Sequence, residues 1–237
     1  MDIDKFIEEV DKLGLKLTDN MLNKLNIYKE YLVEYNKHTN LTRITDDEDI
    51  YLKHFYDSLT VLKTIDLNKY DNLIDIGSGA GFPGMVIAIC FPNLQVTLLD
   101  SSNKRIDFLN NLINKLDINN VKTVCERAEE YARNNLDSYD IVTSRAVANL
   151  EILSELCIPL VKVAGYFIAL KSNIDNELNN SKNIIKILNG NIENIYKFTL
   201  PDNKSIRTII KIKKVNKTPN GYPREYAKIK RCVEKHS

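Results

Sequence analysis

The clearest chemistry in this chain lies in a glycine-rich turn flanked by two carboxylates. The run Asn72-Leu-Ile-Asp-Ile-Gly-Ser-Gly-Ala-Gly-Phe-Pro-Gly84 sets Gly77, Gly79 and Gly81 between two apolar segments. Without a Cβ, such a turn lets backbone approach a ligand, and a helix beginning just after it offers unpaired N–H groups. A second apolar run ends in Leu98-Leu-Asp100. That is roughly the 20-residue offset at which an acid meets ribose hydroxyls in doubly wound folds. Asp100 is therefore a candidate ribose acceptor. Asp75, at the mouth of the first strand, suits a ligand that carries an ammonium group. Together these residues describe a site for a nucleotide-like cofactor.

Two cofactors compete for it. Gly79-Ala-Gly81-Phe-Pro-Gly84 fits the dinucleotide pattern G-x-G-x-x-G, a weak signal alone. Read from Asp75, the same stretch is acid-x-G-x-G-x-G, which resembles the class I methyltransferases that bind S-adenosylmethionine. A carboxylate is awkward beside a pyrophosphate, so the methyl donor is the favoured ligand. An NAD(P)-binding Rossmann oxidoreductase, or a tight turn with no ligand, are the alternatives.

These residues need a scaffold that gathers strand ends at one edge. From Asn72 onward strand and helix signals alternate. Strands are expected near 72–76, 95–100, 121–125, 139–144 and 165–171, with helices near 83–91, 102–116, 127–135, 149–162 and 174–188. Alternation implies a parallel sheet covered on both faces. Residues 192–200 and 205–213 then read as an antiparallel hairpin. The expected fold is α/β and Rossmann-like, a mostly parallel sheet with an antiparallel last strand. Residues 1–66 form a helical extension, in which Thr18 is a plausible N-cap and Leu22, Leu25, Tyr28, Leu32 and Tyr35 make an amphipathic stripe. The core is 67–214, and 215–237 is a loosely held basic arm.

Strand ends supply the remaining candidates. Arg127-Ala128-Glu129 follows the third strand and could hold adenine through a backbone N–H and a side-chain acceptor, or could simply start a helix with Glu129 complementing its dipole. Ser144-Arg145-Ala146-Val147 follows the fourth, and Lys171 ends the fifth. Arg145 excludes the Asn/Asp-Pro-Pro-aromatic arrangement used on exocyclic amines. No cysteine stands there to activate a pyrimidine ring. An acceptor with its own lone pair remains, such as a purine ring nitrogen, or a hydroxyl served by another base. Guanine N7 needs no proton removed, so positioning and electrostatics suffice. Upstream, His54 and Asp57 are three apart on one helical face, either contacting a ligand or forming a satisfied, capped helix.

Composition narrows the class. At 237 residues, 43% hydrophobic and 27% charged, the chain can bury one good core. No apolar run reaches membrane-spanning length and Met1-Asp-Ile-Asp-Lys does not open a signal peptide, so a cytoplasmic protein is expected. Cys90, Cys125, Cys157 and Cys232 are isolated and the three histidines scattered, so no metal is expected. Lys204 to Lys235 holds eleven Lys or Arg against two acids, +9, leaving 22 basic and 30 acidic residues elsewhere, −8. That asymmetry suits either a polyanion contact or a lysine-protected strand edge.

Asn40-Leu-Thr-Arg43, Lys53-His54-Phe55 with Asp57-Ser58-Leu59, the Asp75–Gly84 loop, Leu99-Asp100-Ser101 with Lys104-Arg105, Ser144-Arg145-Ala146 and Ala169-Leu-Lys171 together resemble the ribosomal RNA small subunit methyltransferase G family, also called glucose-inhibited division protein B. The resemblance runs in order from about residue 20 to 213. It implies methyl transfer from S-adenosylmethionine to N7 of one guanine in the decoding-region loop of bacterial 16S rRNA, on the RNA or the small ribosomal particle. By position, Gly77, Phe82, Ala128, Glu129 and Arg145 would contact the methyl donor, within a loop completed by Gly79 and Gly81. Asp75 and Asp100 would organise it, and Arg145 would shape the reaction pocket. Asn40, Arg43, His54, Asp57 and Lys171 would serve the substrate, with Arg224 in the basic arm. Tyr222-Pro-Arg224 matches the family ending, whereas Cys232-Val-Glu-Lys-His-Ser237 departs from the expected Pro-Leu. A non-catalytic RNA-binding or assembly module is the remaining alternative, and the absence of a long exposed apolar face suggests a monomer.

Overall fold

The computed structural model describes residues 1–145, 148–172, 174 and 177–234. Ala146, Val147, Asn173, residues 175–176 of the helix expected at 174–188 and the tail end 235–237 lie outside them. Seven strands form one sheet in the order β3-β2-β1-β4-β5-β7-β6. These are β1 (Asn72–Ile76), β2 (Gln95–Asp100), β3 (Val121–Cys125), β4 (Tyr139–Arg145), β5 (Val161–Lys171), β6 (Gly190–Thr199) and β7 (Ile206–Lys214). The first five are parallel, and β7 is antiparallel to β5 and β6. The order reverses between β1 and β4, the switch point where such sheets bind ligands beyond their carboxyl ends. The antiparallel run of β7 pairs its Thr208 with Lys171, so the start of β7 also reaches that edge.

Period-2 alternation sorts the side chains between two faces. Leu73 and Leu98 face one core, with α5 (Gly84–Cys90), α6 (Asn103–Leu116) and the amino-terminal helices. Ile74 and Leu99 face the other, with α7 (Ala128–Asn134), α8 (Leu150–Cys157), α9 (Glu177–Ile187) and α10 (Tyr226–Glu234). In the extension, α1 (Ile3–Asp11) and α2 (Asp19–Thr39) bury Phe6, Leu25, Tyr28 and Leu32 in the same core as β1 and α5. Thr18 caps α2 by accepting from the Met21 N–H. Single α turns at Asp47–Asp49 (α3) and Asp57–Leu59 (α4) flank a π-helical segment, Ile50–Tyr56.

Three boundaries differ from the sequence reading. The expected helix at 149–162 stops at Cys157 and continues as a 3-10 turn, Ile158–Leu160, because Pro159 has no N–H to continue the α-helical ladder. Strand β5 begins at Val161, its register against β4 shifting between Tyr139 and Ile141. The arm after β7 is not loose. Helix α10 buries Ile229 and Val233, and Arg224 is clasped to the fully buried Glu155 through 2.8 and 2.6 Å contacts.

Candidate active site

Three adjoining cavities run along the carboxyl edge of the sheet. The first, about 270 Å³, is lined by Gly77, Asp100, Ala128, Glu129 and Tyr226 among others. It shares Gly77 and Arg105 with a second, about 310 Å³, which holds Thr42, Gly79, Phe82 and Arg145. The second shares His54 and Arg145 with a third, about 300 Å³, where Asp57, Lys171 and Arg207 meet. One cleft thus joins the ends of β1, β2, β3, β4 and β5.

Backbone builds the first end. Gly77 and Gly79 have φ of +68° and +59°, the left-handed region that favours glycine. A Cβ on Gly79 would meet nothing nearer than the Gly77 carbonyl oxygen at 3.9 Å, so this face of the loop is open. Gly81 serves another purpose. A Cβ there would lie 2.6 Å from the Tyr28 hydroxyl and 2.9 Å from Met85 Cβ, so its missing side chain makes room for α2. The Tyr28 hydroxyl also donates to the Ala80 carbonyl, tying the extension to the loop.

The two carboxylates have different surroundings. Asp100 lines the cleft, accepting from the Gly79 N–H at 3.0 Å, the Ser102 N–H at 3.0 Å and Arg105 at 3.2 Å. Asp75 does not line it. Fully buried behind the loop, Asp75 accepts from the Gly84 N–H at 2.9 Å and from Thr143 Oγ1 at 3.3 Å. Burial pushes its pKa up to about 7 against those hydrogen bonds. Its place is therefore corrected from ligand contact to loop brace, because its side chain points to Gly84 at the start of α5 while the next residue, Ile76, faces the cavity. Glu129 is buried in the first cavity, with Arg127 Nε donating to it at 2.6 Å.

Side chains from distant segments build the other end. Arg145, the last residue of β4, donates to the Lys53 carbonyl at 3.0 Å, to Asp57 Oδ2 at 3.4 Å and to His54 Nδ1 at 3.2 Å. Because Nδ1 accepts from Arg145, the imidazole carries its proton on Nε2 and donates to Thr42 Oγ1 at 3.0 Å. Burial, reinforced by the Arg145 charge, lowers the His54 pKa to about 3, so it is neutral at physiological pH. Phe82 stacks on His54 at 4.2 Å and on Tyr28 at 5.3 Å, and the Arg145 guanidinium lies 5.0 Å from its ring centroid. Burial also lowers the Arg145 pKa, opposed by Asp57 and Asp75. Asp57 is held a second time by Arg207 Nε at 2.9 Å. The Thr42 loop is fixed by Asn36, whose amide accepts from the Thr42 N–H and donates to its carbonyl, both at 2.9 Å.

A family model described as rRNA small subunit methyltransferase G matches residues 21–206. The chain belongs to this family. It is 47% identical over 228 residues to ribosomal RNA small subunit methyltransferase G of Bacillus licheniformis and 46% identical over 228 to that of Bacillus subtilis, covering 95% of each chain in both cases. Among solved structures, M. jannaschii TYW2 in complex with AdoMet is similar, with a TM-score of 0.51 at 13% identity over 62% of this chain and 70% of that one. That likeness concerns the fold alone. As a member of the methyltransferase G family the chain is an S-adenosylmethionine-dependent rRNA methyltransferase, which sets aside the oxidoreductase and the non-catalytic module.

The residues present fit that cofactor. The open face of Gly79, the cavity beside Asp100 and its apolar walls of Ile76, Leu99 and Leu156 suit a nucleoside with a small polar tail. Of the residues expected at the substrate end, His54, Asp57 and Lys171 converge with Arg145 on the third cavity. Lys171 is paired with Glu177 at 2.7 Å and donates to the Ala148 carbonyl, so it braces the rim. Asn40 is an exposed left-handed cap at the end of α2, and Arg43 is exposed beyond it. Arg224 is corrected. Its guanidinium neutralises Glu155 on α8, and it lines a separate cavity with Arg133, Leu136 and Tyr222. Sequence reasoning missed Thr42, Arg207 and Tyr226. Thr42 sits inside a quoted motif; Arg207 reads in the sequence only as part of the 205–213 strand and the basic segment, and Tyr226 only as part of the basic arm.

Proposed function

We propose that this chain methylates N7 of a guanine in the decoding-region loop of 16S rRNA. The observation that carries this reading is that His54, Asp57 and the lysines lining the third cavity, among the described residues, are all engaged and none is free to take a proton. His54 Nδ1 already accepts from Arg145 and its pKa lies near 3, while the Asp57 carboxylate is held by Arg145 and Arg207. Lys53 and Lys171 are ion-paired with Asp49 and Glu177. An acceptor here must bring its own lone pair, as guanine N7 does; an exocyclic amine or hydroxyl would need a base.

Bound S-adenosylmethionine supplies an electrophilic methyl group on a sulfonium. The protein positions the two partners. Gly77, Gly79, Asp100 and Glu129 hold the cofactor end, and Phe82 with His54 makes a flat apolar wall between the ends. Arg145 is fixed by three partners, so it shapes the pocket without reorganising. A guanidinium stays protonated, so Arg145 is not a base. The exposed Asn40 and Arg43, on either side of the Leu41-Thr42 pair that lines the second cavity, would meet the RNA backbone, with 16S rRNA or a small-subunit particle as substrate. We read the protein as a cytoplasmic monomer; no helix among the described residues is long and apolar enough to cross a membrane.

The test is methyl transfer from labelled S-adenosylmethionine to unmodified small-subunit RNA and particles, mapped by cleavage specific for 7-methylguanine. Label at one decoding-loop guanine is the expected result. Label that resists this cleavage, or maps to another base, would overturn the choice of atom or site.

A further inference from the structure

Tyr226 opens α10, well past residue 206 where the family match ends. Its ring nevertheless lines the first cavity, together with Asp100, Arg127, Ala128 and Glu129. The Arg127 guanidinium lies 5.0 Å from the ring centroid, and Arg127 is itself fixed by its 2.6 Å bond to Glu129. The ring is held from both sides along the chain. Two residues earlier Arg224 is clasped to Glu155, and three residues later Ile229 is buried against the sheet-face core. The preceding Pro223 carbonyl also accepts from Arg133 Nε of α7 at 3.3 Å.

We propose that Tyr226 is a cofactor-binding residue, its ring forming the outer wall of the adenosine end of the cleft. The inference rests on assigning this cavity to the adenosine half of S-adenosylmethionine. An aromatic face fixed beside a purine-sized cavity gains stacking that the methionine half of the ligand cannot supply. The carboxyl-terminal segment therefore works in the cofactor site, in addition to any charge it offers to RNA.

The chain contains no tryptophan, so Y226W places a single indole at the wall. Its emission should change saturably with S-adenosylhomocysteine and with 5′-methylthioadenosine, and stay constant with methionine, all without RNA. By calorimetry, Tyr226→Ala should weaken S-adenosylhomocysteine about fivefold to tenfold, the low end of base–aromatic stacking for a partly exposed ring. Tyr226→Phe should stay within about twofold, since the ring face and not the hydroxyl makes the contact. Parent-like affinity of Tyr226→Ala, while Asp100→Asn loses affinity, would overturn the role of Tyr226 and leave the cavity assignment standing. Parent-like affinity in both would overturn the assignment as well. Should the alanine variant fail to fold, Y226W decides: an emission unmoved at saturating S-adenosylhomocysteine overturns the proposal.

Discussion

The two ends of the cleft are built differently. At the end proposed for the cofactor, one strand–loop–helix unit and the tips of two further strands supply backbone N–H groups, an open glycine face and the carboxylates of Asp100 and Glu129. At the end proposed for the substrate, Thr42, His54, Asp57, Arg145 and Arg207 come from the extension, β4 and β7, and hold one another through a chain of hydrogen bonds. A backbone-built site follows from local chain geometry. A side-chain-built site depends on every partner being present, and removing one leaves the others buried without compensation. The ends should therefore respond separately to mutation.

The largest effect is expected where a misplaced residue would blur this division. Arg224→Ala should cost about 3–5 kcal/mol in urea unfolding, because Glu155, fully buried, loses its cation. Unchanged stability with weaker, less salt-sensitive RNA binding would return Arg224 to the RNA surface. Asp57→Ala should cost about 3 kcal/mol, leaving two arginines uncompensated, and lower methyl transfer about a hundredfold while S-adenosylhomocysteine affinity stays within about twofold. A parallel loss of cofactor affinity would show that the ends are one cooperative unit.

Asp75 sharpens the contrast within the cofactor end. Its pKa, about 7 in the fold against an ordinary 3.8, means that the protonated form is preferred. Its contribution to stability is full below about pH 3.8 and is lost as pH rises through 7. The parent should thus lose about 3 kcal/mol relative to Asp75→Asn between pH 4 and 7, read as diverging thermal midpoints. His54 works the opposite way, since its lowered pKa makes the fold lose stability as pH falls below 6.5; both proteins share it, so the difference isolates Asp75. A gap independent of pH would place an ionised Asp75 in the cleft. The smallest effect belongs to Tyr28→Phe, about 1 kcal/mol from the lost bond to the Ala80 carbonyl. No change would detach the extension from the glycine loop.

Much of the cofactor end was legible because its signals are local. Glycines, flanking apolar strands and an acid at a set offset all lie within about 30 residues, the span of one βαβ unit. The substrate end was legible only in part. His54 and Asp57 could be paired by helical spacing, but their common partner lies 88 residues from Asp57 in sequence, and Arg207 lies 150 away. Charge counting misled at the tail. Arg207, Lys211, Lys214 and Arg224 all contribute to the +9 segment, yet each is paired with an acid of the folded body.

By itself, the sequence determined the strand and helix order, the glycine loop and the family, since periodicity, turn residues and short motifs are properties of neighbouring positions. Only the tertiary structure decided which charges face a ligand and which are consumed internally. Asp75 and Asp100 both sit at the carboxyl ends of apolar strands, but one side chain points to Gly84 at the start of α5 and the other lines the cleft. Arg145 and Arg224 are both arginines in family motifs, but one is drawn to Asp57 beside the third cavity and the other to Glu155 beneath the tail. A charge pairs with whatever opposite charge the packed elements bring within a few ångströms, and that distance exists only once the sheet has formed.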